Sequence, residues 1–332
     1  MKPKVVLTHW VHPEIITFLS QTCEVIANES RLTLPREEIL NRACDAQALM
    51  AFMPDCIDDD FLDQCPDMEV VGGAMKGYDN LDPEACEKRE IWLTNVPDLL
   101  TIPTAELTLG LMIALGRNVI QSDQYLRAGH FAGWEPRFYG KGLDSSVIGI
   151  VGMGAVGQAL AKRLTGFDAN LIYYDRVRLE QETERQLSVS YVEFSHLLSE
   201  SDFIASILPL NDQTLHFFDD HEINTMKTGA YLINTGRGST VNEQAVVRGL
   251  ASGQIRGYAA DVYEFEDWAR GDRPRAIPAD LLNQTDKTVF TTHIGSAVEK
   301  VRFEIAMEAA VNITQALTGE IPQGAVNQVS RI

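Results

Sequence analysis

The chain has 332 residues, of which 45% are hydrophobic and 23% charged, the composition of an ordinary globular protein with enough length for two cores. Its 47 acidic side chains against 28 basic ones give a net charge of −19, which excludes a basic nucleic-acid face or an anionic-membrane face. Any anionic substrate must therefore be drawn in by a local cluster of cations.

The first hundred residues alternate strand and helix signals. Strands are predicted at Val5–Thr8, Ala48–Met53, Glu69–Gly73 and Trp92–Asn95, and a helix at His12–Cys23, an α/β pattern with its own parallel sheet. The five cysteines, Cys23, Cys44, Cys56, Cys65 and Cys86, lack CxxC pairing and lack histidines at ligand spacing, so buried free thiols and no metal site are expected. A long helical stretch from Pro103 to Arg127, apolar at Leu107, Leu111, Ala114 and Leu115, reads as a crossover between two domains. The second unit continues with strands at Asp202–Leu208, Ala230–Asn234 and Gly257–Val262. A helical tail over Ser296–Leu317 is expected to return to the first domain. No run reaches the ~18 apolar residues of a membrane span and the N-terminus has no long h-region, so a cytoplasmic location is expected.

The most informative segment is Val147–Gly157, an apolar strand-like run that feeds into Gly152-Met153-Gly154-Ala155-Val156-Gly157 and then a helix over Gln158–Leu164. In such a G-x-G-x-x-G turn the first glycine makes the turn, the second lets a pyrophosphate approach the backbone, and the third permits close packing of the helix. The phosphates then meet free N–H groups at a helix N-terminus. A glycine turn alone also arises for structural reasons, but here a second strand, Asn170–Tyr174, ends in Asp175. That carboxylate stands near the ~20-residue spacing of a group that accepts from the adenosine ribose. Asp175 favours NAD, while Arg176 and Arg178 are cations placed to take a 2′-phosphate, so NAD with some NADP use is expected. The competing reading of Arg176 is a solvated surface side chain.

Three further motifs follow predicted strands, where doubly wound folds place their ligands. Asn234-Thr235-Gly236-Arg237-Gly238-Ser239 sets an arginine between two glycines, and its planar fork suits bidentate binding of an oxyanion. Asp261-Val262-Tyr263-Glu264-Phe265-Glu266 and His293-Ile294-Gly295-Ser296 supply a carboxylate and a histidine. Paired, these form a proton-transfer couple, because the carboxylate orients the ring and favours its charged form. A lone histidine is usually structural; Arg237 and Glu266 give His293 its chemical company.

Together these motifs resemble the NAD-dependent D-2-hydroxyacid dehydrogenase superfamily over almost the whole chain. The resemblance implies two Rossmann-like α/β domains with doubly wound parallel sheets, the nucleotide-binding domain (100–293) inserted into a discontinuous substrate domain (1–99 and 294–332). It implies homodimers and an active site in the cleft between the domains. It also implies that the cofactor lies against Thr104, Gly152, Gly154, Ala155, Val156, Gly157, Asp175, Arg176, Pro209, Thr235, Asp261, His293, Gly295 and Ser296. Arg237, Glu266 and His293 are then catalytic.

Within the superfamily, Gly73–Asn80 with Lys76, Gly133–Gly140 with Trp134, and Phe265–Arg270, where no proline follows Glu266, are similar to the phosphite-oxidising members. That similarity implies phosphite as substrate, held by Lys76, Gly77, Arg237 and Arg302 and walled by Met53 and Leu100. The base that activates water is then His293, or water is activated with help from Arg302 while a charged His293 orients the anion. Oxidation of a D-2-hydroxy acid is the enzymatic alternative, with Arg237 on the carboxylate and His293 taking the hydroxyl proton. A corepressor-like protein that senses nucleotide is the non-enzymatic one.

Overall fold

The computed structural model describes residues 2–330, which divide into two compact units. Among these, unit 1 comprises residues 2–100, 268–271 and 297–330; unit 2 comprises 101–267 and 272–296.

In unit 1 the chain runs β1 (Lys4–Leu7), α1 (Pro13–Ser20), β2 (Glu24–Ile26), α2 (Arg36–Ala43), β3 (Ala48–Ala51), α3 (Asp59–Leu62), β4 (Val70–Gly73), α4 (Pro83–Lys88) and β5 (Trp92–Thr94). The five strands form one parallel sheet in the order β2-β1-β3-β4-β5. The central strands are fully buried apolar runs, as a sheet covered on both faces requires. The strand order reverses between β1 and β3, so the crevice beyond their carboxyl ends is the natural ligand position of this sheet.

Unit 2 begins with α5 (Thr101–Gly116) and α6 (Val119–Arg127). It continues through β6 (Val147–Val151), α7 (Ala155–Leu164), β7 (Asn170–Tyr174), α8 (Gln181–Leu187), β8 (Val189–Tyr191), α9 (Phe194–Glu200) and β9 (Phe203–Ser206). Then come α10 (Asp220–Thr225), β10 (Ala230–Asn234), α11 (Glu243–Ser252), β11 (Ile255–Ala260), α12 (Ala279–Leu282) and β12 (Thr288–Phe290). All seven strands are parallel, in the order β12-β11-β10-β9-β6-β7-β8. Counted within the unit this is the dinucleotide-fold order with one added strand, and its switch point lies between β6 and β9.

The predicted helix Pro103–Arg127 is in fact two helices. Asn118 stands between them in the left-handed region (φ 53), a conformation that Asn tolerates and that ends α-helical propagation. Nor is the segment a crossover between domains: α5 lies wholly in unit 2 and packs on α7, β10 and β11, burying Leu111 and Leu115 while Leu107 and Ala114 stay half-buried. The last helix, α13 (Glu299–Leu317), belongs to unit 1, where it packs on α1, β3 and β4. It begins three residues later than expected.

All five cysteines are free, but only Cys23, Cys65 and Cys86 are buried; Cys44 is exposed and Cys56 half-buried, a correction to the expectation of five buried thiols. Burial pushes the Cys65 and Cys86 thiols up to about 11 and about 12, so neither is a nucleophile at neutral pH. Among the described residues no helix is long and apolar enough to cross a membrane.

Candidate active site

The glycine turn joins β6 to α7. Gly152 sits at φ +96, where an added Cβ would lie 2.8 Å from the Ile207 carbonyl oxygen. A Cβ on Gly157 would come within 2.2 Å of the Gly152 carbonyl oxygen, so the helix closes directly on the turn. Gly154 differs from both: nothing lies within 4 Å of its Cβ position, and as N-cap of a ten-residue helix it leaves the N–H groups after it open to a phosphate. Asp175, just past β7, accepts from the Met153 N–H (2.7 Å) and the Val177 N–H (3.2 Å), which fixes its carboxylate over the turn. These features fit a dinucleotide.

The two basic neighbours of Asp175 behave differently. Arg176 is exposed, with its guanidinium on the Gln213 side-chain oxygen (2.6 Å). Arg178 is committed elsewhere: it makes two bonds to Glu184 (2.8 and 2.9 Å), which with the Tyr173 hydroxyl hold Glu184 down to about 2. Arg178 is therefore withdrawn from the expected 2′-phosphate role, and Arg176 is left as the cation beside Asp175. Pro209, after β9, is exposed and its carbonyl accepts from Thr214.

Strands β10, β11 and β12 are neighbours, so their carboxyl ends bring three motifs side by side. Arg237 follows β10, its backbone oxygen taken by Asn234 (2.9 Å) and Thr240 (2.7 Å), and one guanidinium nitrogen donates to the Gly236 carbonyl. Glu266 closes a 3-10 turn after β11; its Oε1 accepts from the Tyr263 N–H (2.7 Å) and its Oε2 lies 3.0 Å from His293 Nδ1. With Nδ1 engaged, Nε2 is the imidazole nitrogen that the Glu266 contact leaves over.

His293 occupies the left-handed region (φ 55), which costs a non-glycine residue about 1–2 kcal/mol. Asp261 holds it there. Its carbonyl accepts from the His293 N–H (2.9 Å), and its buried carboxylate accepts from the Ile294 N–H (2.7 Å), the Gly295 N–H (2.8 Å) and the Thr291 hydroxyl (2.6 Å). Thr104 of α5 borders the same turn, its hydroxyl 3.3 Å from where a Gly295 Cβ would sit, and Thr108 links α5 to Thr235 at 2.7 Å. Ser296 is half-buried beside Gly295.

In unit 1 the expected substrate residues gather at the carboxyl edge of the sheet. Phe52 and Met53 follow β3, Lys76 and Gly77 follow β4, and the Arg302 guanidinium of α13 lies over the Phe52 ring at 5.7 Å. Burial pulls both cations below their ordinary pKa values, with Asp98 opposing the shift at Lys76. Leu100 is half-buried at the end of the unit. The sequence reading missed His9 and Asp55. Asp55 is buried and accepts from the Phe52 N–H (2.8 Å) and the Thr8 hydroxyl, and His9 Nε2 lies 3.6 Å from its other oxygen.

Residues 109–295, more than half of the chain, match the family model for the NAD-binding domain of D-isomer specific 2-hydroxyacid dehydrogenases. The chain belongs to that family. It is 36% identical to the glyoxylate reductase of Thermococcus litoralis over 99% of this chain and 98% of that one. Among solved structures, the TT0316 protein of Thermus thermophilus superposes with a TM-score of 0.88 at 31% identity, covering 97% of this chain and 99% of that one. An NADPH-dependent glyoxylate/hydroxypyruvate reductase from Sinorhizobium meliloti, solved with NADP and malonate, does so with a TM-score of 0.84 at 25% identity, covering 98% and 97%. The enzyme is thus an NAD-dependent oxidoreductase with two parallel-sheet α/β domains.

Proposed function

We propose that this oxidoreductase moves a hydride between the nicotinamide and a small oxyanion that Arg237 grips, with His293 and Glu266 handling the proton. The observation that carries this reading is the 3.0 Å contact between His293 Nδ1 and Glu266, on a turn that Asp261 pins. NAD held at the Gly152–Gly157 turn and Asp175 would supply the hydride acceptor or donor. Glu266 orients the imidazole, so that Nε2 faces the exchanging proton in one tautomer. The Arg237 fork neutralises the anion and fixes its plane.

The comparisons back a 2-oxo acid better than phosphite. The relatives are named glyoxylate reductases, and glyoxylate reduction uses every group above: the carboxylate on Arg237, hydride to the carbonyl carbon, and the His293 proton to the carbonyl oxygen, giving glycolate. Oxidation of phosphite is the second reading, favoured by one specific observation. Lys76 and Arg302 place two partly desolvated cations at one sheet edge of an acidic chain, more positive charge than a monoanion needs and well suited to a dianion. In that reaction water oxygen would bond to phosphorus as the P–H bond breaks and its hydride passes to oxidised nicotinamide, with His293 taking the water proton, yielding phosphate.

One assay separates the two. Purified enzyme is given NAD with phosphite, then NADH with glyoxylate, while absorbance of the reduced nicotinamide is followed. Phosphite-dependent NADH matched one-to-one by inorganic phosphate supports the second reading, and brisk glyoxylate-dependent oxidation with no phosphite turnover supports the first. Inertness toward both would remove the small-oxyanion reading. A homodimer belongs to the same proposal. Leu126, Phe131, Trp134 and Tyr139 are exposed apolar side chains on one segment, a surface that a second copy would cover, and sedimentation at micromolar concentration tests it.

A further inference from the structure

Behind Arg237, Glu266 and His293 lies a nest of carboxylates that the reaction itself does not use. Glu243, the first residue of α11, is 1% exposed; Glu264 is 6% exposed and Asp267 4%. Glu243 and Glu264 clamp each other reciprocally: the Glu243 N–H donates to Glu264 Oε1 (2.9 Å), and the Glu264 N–H donates to Glu243 Oε1 (3.0 Å). Glu264 Oε2 lies 2.8 Å from His216 Nε2, and His216 in turn donates its backbone N–H to the Ser239 carbonyl (2.7 Å). Asp267 accepts from the Ser239 N–H (2.7 Å). The turn that carries Arg237 and the turn that carries Glu266 are therefore tied to one buried core of acids.

Glu243 Oε2 is buried and has no hydrogen-bond partner among the described residues. An ionised oxygen left so would be costly, because a buried charge needs a partner. We propose that Glu243 is a positioning residue for the reaction, a proton-bearing clamp that sets the Tyr263–Glu266 turn and, through Glu264, His216 and Asp267, the Arg237 turn. The inference rests on the reading of Arg237, Glu266 and His293 given above. Burial, with the charges of Glu264, Asp267 and Glu266 beside it, raises the Glu243 carboxyl to about 7, so the proton is held on the acid side of neutrality and is half lost at pH 7. The titratable groups facing Glu243 are those three acids, Tyr258 of β11 and Tyr263, with His216 reached through Glu264. Among the described residues no cation stands on Glu243 itself.

Because the folded value is raised, the stability contributed by the protonated form is complete below the ordinary glutamate range and is lost as pH climbs to about 7. In the native enzyme the clamp itself loosens as pH passes through that value.

The test uses the full-length enzyme and two variants, Glu243→Gln and Glu243→Ala, with hydrogen exchange and kcat read from pH 6 to pH 9. Gln keeps the acceptor for the Glu264 N–H and stays neutral, so its kcat should match wild type at pH 6 and should not fall where wild type falls near pH 7. Ala removes the acceptor, so exchange at Ser239 and Glu264 should quicken and kcat should drop, each by about tenfold or more, with the Kd for NAD held within about twofold. Superimposable pH profiles for wild type and Gln, or unchanged exchange at both turns in Ala, would overturn the proposal. If Ala fails to fold, the Gln profile decides alone. Glu266→Gln is the control: should it leave kcat unchanged, the proton-pair reading fails, while exchange in the Glu243 variants still judges the clamp.

Discussion

Asp261→Asn is the most direct test of how this fold holds His293, the proposed proton-transfer residue. The carboxylate accepts three bonds of 2.6–2.8 Å from Thr291, Ile294 and Gly295, and hydrogen bonds to a charged acceptor contribute about 1.5–3 kcal/mol each. Together they exceed the ~1–2 kcal/mol that keeps His293 at positive φ. Asparagine reverses the balance. Its oxygen still serves Thr291 and Ile294 with neutral bonds of about 0.5–1.5 kcal/mol each, but its amide turns an N–H toward the Gly295 N–H and orphans that buried donor at a cost of ~1–3 kcal/mol. The net holding energy falls to roughly zero, so His293 relaxes from its place on Glu266 and kcat drops by about 10- to 100-fold, some 1.4–2.7 kcal/mol of barrier. Steady-state kinetics with either substrate, on protein whose circular dichroism matches wild type, reads this out. Thr291→Val, which exchanges the hydroxyl for a methyl and leaves the Ile294 and Gly295 bonds in place, should cost less than about threefold. If Asp261→Asn lowers Tm but leaves kcat within twofold of wild type, the left-handed His293 does not depend on Asp261 and the argument fails.

Lys76→Ala should raise KM for the anionic substrate by about 10- to 150-fold, the loss of one charge-assisted contact, and an unchanged KM in a folded variant would remove Lys76 from the site. Since burial lowers the Lys76 pKa, its charge disappears at lower pH than an ordinary lysine's; KM should climb early as pH rises, and Lys76→Arg should delay that climb. Asp175→Ala should raise the NADP:NAD ratio of kcat/KM, because Arg176 then faces the ribose without a competing carboxylate, whereas a ratio unmoved by the change would clear Asp175 of cofactor choice. Gly157→Ala drives a Cβ to within 2.2 Å of the Gly152 carbonyl and should abolish NAD binding by calorimetry; tight binding would mean that the turn yields at little cost.

The interior of both sheets was legible because a strand covered on both faces must be a continuous apolar run, as Val147–Val151 and Ala48–Ala51 are. The strands that the sequence did not reveal, β2, β8 and β12, are all three-residue edge strands. Glu24-Val25-Ile26 and Val189-Ser190-Tyr191 keep exposed or half-exposed positions, so neither shows the apolar run that betrays a central strand. The break at Asn118 was hidden for a different reason: apolar spacing continues across it, and periodicity carries no information about one left-handed residue.

The site divides along the same physical line. Gly152, Asp175 and Arg237 could be read because each stands just past a buried strand, where a polar residue or glycine has no packing reason to be, whereas Glu266 and His293 were legible only through their chemical company with Arg237. Glu243, Glu264 and Asp267 could not. In a chain with 47 acidic residues a carboxylate reads as solvated surface, and only the pairing of β10 with β11 brings the start of α11 against the turn that follows β11. Asp55 was hidden in the same way, since nothing local shows that its carboxylate ties the end of β1 to the Phe52–Met53 turn. Part of the net charge of −19 therefore lies inside the fold. There, buried acids accept backbone N–H groups that no strand or helix can satisfy, and the loops bearing Arg237, Glu266 and His293 inherit their geometry from those bonds.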